Sequence, residues 1–127
     1  MSSLNHTDLI HRYLAAYNTF DIEGMLEPLS PEVRFENYSG GELNAAANGI
    51  DEFRRLAEQS KSLFSEREQR ITALEQGEAS VMARIAFRGR LSMDIPDGPR
   101  AGTVLELHGT SEFSFNDGRI TKVVDRS

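Results

Sequence analysis

Residues 81–95 read VMARIAFRGRLSMDI, and residues 105–115 read LELHGTSEFSF. In both stretches the odd positions are mostly apolar or small, and the even positions are mostly polar or charged. A period of two sustained over this length predicts two long strands with one buried face and one solvent-exposed face. The Pro96-Asp97-Gly98-Pro99 sequence between them predicts a turn. These two stretches therefore predict a long antiparallel hairpin.

The register of this hairpin follows from the position of its turn. Folding the chain at Gly98 keeps odd residues opposite odd residues and predicts that Gly89 lies near Gly109 and Phe87 near Ser111. Glycines inside long strands indicate a sharp bend, or a place where another group comes close to the backbone. We therefore expect the sheet to curve strongly here.

Three helices are predicted in the first half of the chain. Asn5 or Thr7 is expected to cap the first helix, and Asp21 is expected to cap a second, short one. A third helix is predicted over residues 50–64. The first helix is amphipathic because apolar residues recur at helical spacing along it, namely Leu9, Ile10, Tyr13, Leu14, Tyr17 and Phe20.

Shorter strands are predicted around the hairpin. Residues 33–38 alternate between apolar and polar side chains and end at Ser39-Gly40-Gly41. Residues 66–74 and 120–124 are predicted to form two further strands. Residues 42–48 are expected to form a loop, because they lack the alternation seen elsewhere.

Together these elements predict a single α+β domain spanning residues 1–127. The antiparallel or mixed sheet is expected to curl into a cone around the N-terminal helices, which makes a half barrel; the family resemblance given below implies that this half barrel is cystatin-like. Helices lying in the concave face of such a sheet leave a cavity at its wide end.

The composition limits the possible functions. Of the 127 residues 39% are hydrophobic and 27% are charged, and the net charge of −6 is spread along the chain. Nucleic-acid binding needs a concentrated basic face, which is absent, and nothing favours membrane binding. The chain contains no cysteine, which excludes disulfides and thiol nucleophiles. Without a secretory signal or an apolar run of spanning length, the cytoplasm is the expected location.

The order of the elements resembles the nuclear-transport-factor-2-like superfamily, which includes SnoaL-like polyketide cyclases and ketosteroid isomerases. Residues 11–18, HRYLAAYN, followed by DIEG at 21–24, are similar to the opening of the ketosteroid isomerases. Residues 112–120, EFSFNDGRI, are similar to the final hairpin of the family. The resemblance covers nearly the whole chain and implies the cone-shaped fold.

The resemblance also implies roles for three residues. Tyr13 falls on the tyrosine that donates a hydrogen bond to the substrate oxygen in the isomerases, Asn37 on their general base, and Ser111 on the second oxyanion-hole donor, an aspartate. A phenol such as Tyr13 suits its role, but an amide cannot accept a proton and a hydroxyl is a weak substitute for a carboxylic acid. The usual steroid isomerisation is therefore not expected, and the proton-transfer group is missing or lies elsewhere.

Three other residues are candidates for that group. Glu36 neighbours Asn37, but strand alternation turns it to the opposite face. Glu42 could reach in from the predicted loop, although a solvated carboxylate is the simpler interpretation. His108 shares the outer face with Glu106 and is expected opposite Arg90.

The remaining candidates are expected to line an apolar pocket, although each could equally be a core residue. We expect neither a cofactor nor a metal ion. The ligand-binding candidates besides Ser111 are Tyr17, Phe35, Phe53, Phe87, Leu107 and Phe113.

Three functions remain open at this point. The protein could be an isomerase, cyclase or lyase that acts on a small apolar carbonyl compound, or a module that binds a small hydrophobic molecule without converting it. It could also be a purely structural domain. In each case the polar outer face of the sheet is expected to form a homodimer.

Overall fold

The computed structural model describes residues 3–127, and side chains from residue 6 onward. The three helices are α1 (Ser3–Asn18), α2 (Ile22–Leu26) and α3 (Ile50–Lys61). The strands are β1 (Leu29–Ser39), β2 (Glu42–Asn48), β3 (Phe64–Gln76), β4 (Ser80–Leu91), β5 (Val104–Asn116) and β6 (Arg119–Arg126).

All six strands belong to one mixed sheet, in the order β2-β1-β6-β5-β4-β3. The pairing of β1 with β6 is parallel, and the other four pairings are antiparallel. Because β2 and β3 are both edge strands, the sheet is open rather than a closed barrel. The predicted α+β class and half-barrel architecture are confirmed.

The helices cover one face of this sheet. Helix α1 packs against α2, β3 and β6, while α3 packs against β1 and β2. The side chains buried between the layers are apolar, and the largest that are fully enclosed are Ile10, Leu29, Val33, Val81, Phe113, Ile120 and Val123. No helix in residues 3–127 has the length and hydropathy needed to cross a bilayer.

The first two helices begin differently from each other. The side chain of Asp21 accepts a hydrogen bond of 3.0 Å from the Gly24 amide, so the predicted cap of α2 is confirmed. Helix α1 already begins at Ser3, which places Asn5 and Thr7 inside it. The prediction that one of these two residues caps α1 is therefore wrong.

Several element boundaries also differ from the prediction. Residues 42–48 are a strand, because the positive-φ glycines Gly40 and Gly41 turn the chain back and let β2 pair with β1. Helix α3 stops at Lys61, and Phe64 begins β3 instead of ending the helix. Strand β4 ends at Leu91. The alternating pattern continues to residue 95, but residues 92–95 belong to the connecting loop and not to the strand.

The hairpin of β4 and β5 has the predicted parity but another register. Gly109 lies opposite Ile85 and Gly89 opposite Leu105, so the two glycines do not face each other, and Phe87 faces Leu107 instead of Ser111. A wide connection over residues 92–103, rather than a tight turn at Gly98, sets this register.

Each glycine does have a group close to its backbone. A Cβ at Gly89 would lie 2.8 Å from the rings of Phe64 and Phe87, and a Cβ at Gly109 would lie 2.2 Å from the Arg126 carbonyl oxygen. The expectation of a close approach at these glycines is therefore confirmed.

The outer face of the sheet carries cross-strand ion pairs. Arg88 pairs with Glu106 at 3.7 Å, and both side chains are more than half exposed. Such pairs contribute little to stability. His108 is opposite Ala86, so the prediction that it faces Arg90 is wrong.

Replacing Gly109 by Ala is expected to destabilise the protein by about 2–3 kcal/mol, because the new methyl group meets backbone that cannot move aside. Gly40→Ala is the matched control. Its Cβ would meet nothing within 4 Å, and only the positive φ of 60° opposes it, at a cost of about 1 kcal/mol. Urea unfolding measures both changes. Equal losses of stability in the two variants would contradict the close approach at Gly109.

Candidate functional site

A row of polar side chains crosses the inner face of the sheet at one level. In the strand register Asn37 of β1 is opposite Asp125 of β6, and Asp125 is opposite Ser111 of β5. In the row below, Phe35, Val123 and Phe113 occupy the equivalent positions. The polar row therefore begins where the apolar core ends.

Asp125 is the acid of this row. Its Oδ1 accepts a hydrogen bond of 2.6 Å from the Ser111 hydroxyl. Burial raises the pKa of Asp125 from 3.8 to about 6, and the hydrogen bond from Ser111 lowers it only in part. A carboxyl group with a pKa of about 6 exchanges protons readily near neutral pH.

Tyr13 reaches the same region from α1. Its side chain is buried, and its ring packs against Phe53 and edge-on against Phe113. The pKa of Tyr13 is raised well above its ordinary value, first by burial and next by the negative charge of Asp125. Tyr13 therefore stays protonated and is a hydrogen-bond donor close to the acid.

Asn37 is tied to the neighbouring strand. Its Nδ2 donates a hydrogen bond of 2.6 Å to Oδ1 of Asn44 on β2. This bond holds the amide at one end of the polar row. Asn37 can orient a ligand there, but it has no proton-transfer chemistry.

Two adjoining cavities open beside the polar row. The first has a volume of about 340 Å³ and lies beneath α1 and α3, and the second has a volume of about 310 Å³ and lies toward the loop end of β5. Both are lined by Tyr17, Asn37, Asn44, Gln69 and Asp125. The acid is therefore accessible from both.

The predicted site residues are divided between these cavities. Tyr13 and three of the predicted aromatic residues line the first cavity with Asn37, namely Tyr17, Phe35 and Phe53. Phe87, Leu107 and Ser111 line the second, where Leu107 is 49% exposed. Phe113 lines neither, because it lies in the fully buried core behind Tyr13, and its role as a ligand contact stays a prediction.

Glu36, Glu42 and His108 do not line the first cavity. Glu36 faces outward, as predicted, and accepts hydrogen bonds from Arg34 and Tyr38. Glu42 is exposed at the start of β2 and lines neither cavity. His108 is exposed and borders the second cavity only.

The sequence interpretation missed Asp125 and Arg67. The last strand was predicted to stop at Val124, although one more step of the alternation from Val123 places Asp125 on the inner face. Arg67 stands between two glutamates, which is typical of a solvated strand, yet its side chain is only 5% exposed and lines the first cavity. Within residues 3–127 no three His, Cys, Asp or Glu side chains converge as a metal site.

The fold and the enclosed polar row define a small α+β protein with an internal pocket. Residues 10–123 match the SnoaL-like domain, so the chain belongs to the SnoaL-like family. No curated protein matches the chain significantly. The family match ends two residues before Asp125.

Solved structures share this fold. A candidate polyketide cyclase from Xanthomonas campestris pv. campestris is 21% identical, with a TM-score of 0.84 over 98% of this chain and 90% of that one. TsrD from Streptomyces laurentii is 24% identical, with a TM-score of 0.80 over 98% and 89% of the chains. TerC, crystallised with polyporic acid, is 16% identical, with a TM-score of 0.76 over 95% and 89%. At these identities the likeness extends to the fold alone.

The raised pKa of Asp125 predicts a pH dependence of stability. Between about pH 4 and pH 6 the folded protein keeps the proton that the unfolded chain has lost, so the free energy of unfolding falls as pH rises through this window. Asp125→Asn is expected to be more stable than the wild type at pH 8 by about 2–3 kcal/mol, because the amide carries no charge and can still accept from Ser111. Urea unfolding at pH 4 and pH 8 measures the difference.

The advantage of Asp125→Asn should disappear at pH 4, where the aspartic acid is itself neutral. Asp94→Asn serves as the control, because Asp94 is exposed and accepts a backbone hydrogen bond that asparagine can also accept. A variant Asp125→Asn that is no more stable than the wild type at pH 8 would show that the carboxylate is not destabilised by burial.

Proposed function

We propose that the protein catalyses proton transfer at a carbon next to a carbonyl group, as in the cyclisation or isomerisation of a small apolar carbonyl compound. The observation that carries this proposal is the position of Asp125, a half-buried acid with a pKa of about 6 between two adjoining cavities. The SnoaL-like family and the fold shared with a candidate polyketide cyclase agree with it.

In this proposal the ionised carboxylate of Asp125 takes the proton from the substrate carbon. The electron pair of the broken C–H bond forms a C=C bond, and the π pair of the carbonyl moves onto its oxygen, where the Tyr13 hydroxyl donates a hydrogen bond to the resulting enolate. In a cyclisation the enolate carbon then bonds to a second carbonyl carbon, and the oxygen of that carbonyl takes the proton from Asp125. In an isomerisation the enolate takes the proton back from Asp125 at another carbon. Ser111 holds the carboxyl group in place throughout.

In this proposal the general base lies on the strand next to the one that carries it in the isomerases. The isomerases that the sequence resembles place their base at the position of Asn37 on β1, whereas here the acid lies opposite it on β6. Both positions point into the same cavity. The substitution of asparagine at position 37 is therefore compatible with catalysis, and it spares Asp125 a second negative charge that would raise its pKa further.

The test uses 2-tetralone, an apolar aromatic ketone whose C1 protons are acidic. Proton NMR in deuterium oxide follows their exchange, which the wild type is expected to accelerate with a rate that rises through about pH 6. Asp125→Asn should lower the rate about 10²–10⁴-fold, as loss of a general base does. Tyr13→Phe should lower it about 10²–10³-fold.

Asp94→Asn again provides the control and should exchange at the wild-type rate. Equal exchange in Asp125→Asn and wild type would exclude Asp125 as the base. If the ketone binds but neither protein accelerates exchange, the protein is instead a module that binds its ligand without converting it.

We further propose that two copies associate through the outer face of the sheet. Arginines on β4, such as Arg84 and Arg88, lie beside glutamates on β5, such as Glu106 and Glu112. A two-fold axis across this face would set the basic strand of one copy against the acidic strand of the other.

Light scattering should therefore give twice the chain mass of 14.2 kDa. The charge reversal Arg88→Glu should shift the protein toward the monomer, because it sets like charges against each other. A monomeric wild type at micromolar concentration would rule out this dimer.

A further inference from the structure

Arg67 is a buried cation fixed in the wall of the first cavity. It lies on β3, only 5% exposed, and its Nε donates a hydrogen bond of 2.9 Å to the Tyr17 carbonyl oxygen. The guanidinium lies over the Tyr17 ring, 3.7 Å from the ring centroid, and 4.5 Å from that of Phe20. Aromatic stacking of this kind stabilises the cation and fixes its plane.

The end of α1 is itself anchored to the strand that carries Arg67. Asn18 accepts a hydrogen bond of 2.7 Å from the Gln69 amide and donates one of 3.2 Å to the Gln69 carbonyl oxygen. These bonds hold Tyr17 and Arg67 together at the wall of the cavity. The arginine is therefore held at the cavity wall by contacts within the protein.

The two terminal nitrogens of Arg67 remain without partners. Nη1 and Nη2 are both buried, and within the described part of the chain neither has a partner at hydrogen-bond geometry, although the Tyr17 side chain lies close enough to interact with the guanidinium. By contrast, Arg84, Arg88 and Arg90 each form an ion pair with a glutamate on a neighbouring strand. A guanidinium keeps its charge at neutral pH, so Arg67 is a buried positive charge with unused donors.

Among the residues whose side chains are described, Asp125 is the only carboxylate that lines the first cavity, and it is not the partner of Arg67. Its described hydrogen bond comes from Ser111, and no ion pair joins it to the arginine. An arginine in contact would also hold the pKa of Asp125 below its ordinary value, whereas that pKa is raised. The cation and the acid are therefore two separate groups in one cavity.

We propose that Arg67 binds the carboxylate of an acidic ligand, so that the compound taken up by this pocket is an aromatic or alicyclic carbonyl compound that also bears a carboxylate. The Nη1 and Nη2 donors match the two oxygens of a carboxylate once the guanidinium turns them from their buried position toward the cavity. The ring of the ligand packs against the apolar wall formed by residues such as Phe35, Phe53 and Leu56. The inference deepens the proposed function, because it uses the same cavity and directs the other end of the ligand toward Asp125.

The size of the cavity limits the ligand. A volume of about 340 Å³ lies at the lower end of the range for small-molecule sites, which favours one or two rings. A suitable probe is therefore 2-naphthoate, and 2-naphthamide, its neutral analogue of the same shape, is the comparison.

Isothermal titration calorimetry near neutral pH is expected to show that the wild type binds 2-naphthoate about 10- to 100-fold more tightly than 2-naphthamide, as a charge-assisted hydrogen-bonded pair predicts. Arg67→Met should remove this preference, and Arg67→Lys should keep part of it. Arg70→Met is the matched control, because Arg70 is exposed on the same strand and its loss changes the net charge equally. Its preference should equal that of the wild type.

Equal affinity of the wild type for the acid and the amide, or no binding of the acid at millimolar concentration, would overturn the proposal. So would an unchanged preference in Arg67→Met. If that variant does not fold, the wild-type comparison and Arg67→Lys decide. Binding needs no turnover, so a clear preference for 2-naphthoate with no ketone exchange would reject the catalytic proposal alone.

Discussion

The site depends on the parallel pairing of β6 with β1. This pairing brings the last strand of the chain into the middle of the sheet, between β1 and β5. As a result, the strand end that carries Asp125 lies beneath the helices instead of at an exposed edge. The register then sets Asp125 between Asn37 and Ser111, and the backbone of Arg126 lies close against Gly109. A shift of one residue would turn the acid to the outer face.

Burial raises the pKa of Asp125 and also lowers the stability of the folded protein above that pKa. The cavity wall is mostly aromatic and aliphatic, and it offers this carboxylate a single described hydrogen bond from Ser111. The same desolvation that raises its pKa to about 6 lowers the stability of the folded state above that pH. Arg67 adds a second unpaired charge to the cavity. Two ionisable groups of this kind in one small pocket are typical of a binding or catalytic site.

The fold could be predicted because its signals are local. The alternation from Val81 to Leu91 identified the long strand, and Asp21 identified the start of α2. Strand β2 was missed because Ala45, Ala46 and Ala47 have little intrinsic preference for strands. Its extended structure comes from pairing with β1, which a local pattern does not show.

The site was harder to predict, because it depends on contacts between distant parts of the chain. Tyr13 and Asn37 were found through the resemblance to the isomerases and do lie at the cavity. Asp125 was missed because two polar residues follow it, so it looked like part of a solvated terminus. Arg67 was missed because its neighbours Glu66 and Glu68 are charged. Only the pairing of β6 with β1, and the position of α1 over β3, show that both side chains point inward.

The most direct test of the central claim is the pKa of Asp125 itself. Carbon-13 NMR of the aspartate carboxyl carbons, followed from about pH 3 to pH 9 and assigned with Asp125→Asn, measures it residue by residue. The account predicts that the Asp125 signal titrates with a pKa of about 6, above the ordinary value of 3.8. An Asp125 pKa at or below that ordinary value would contradict a desolvated acid at the centre of the pocket.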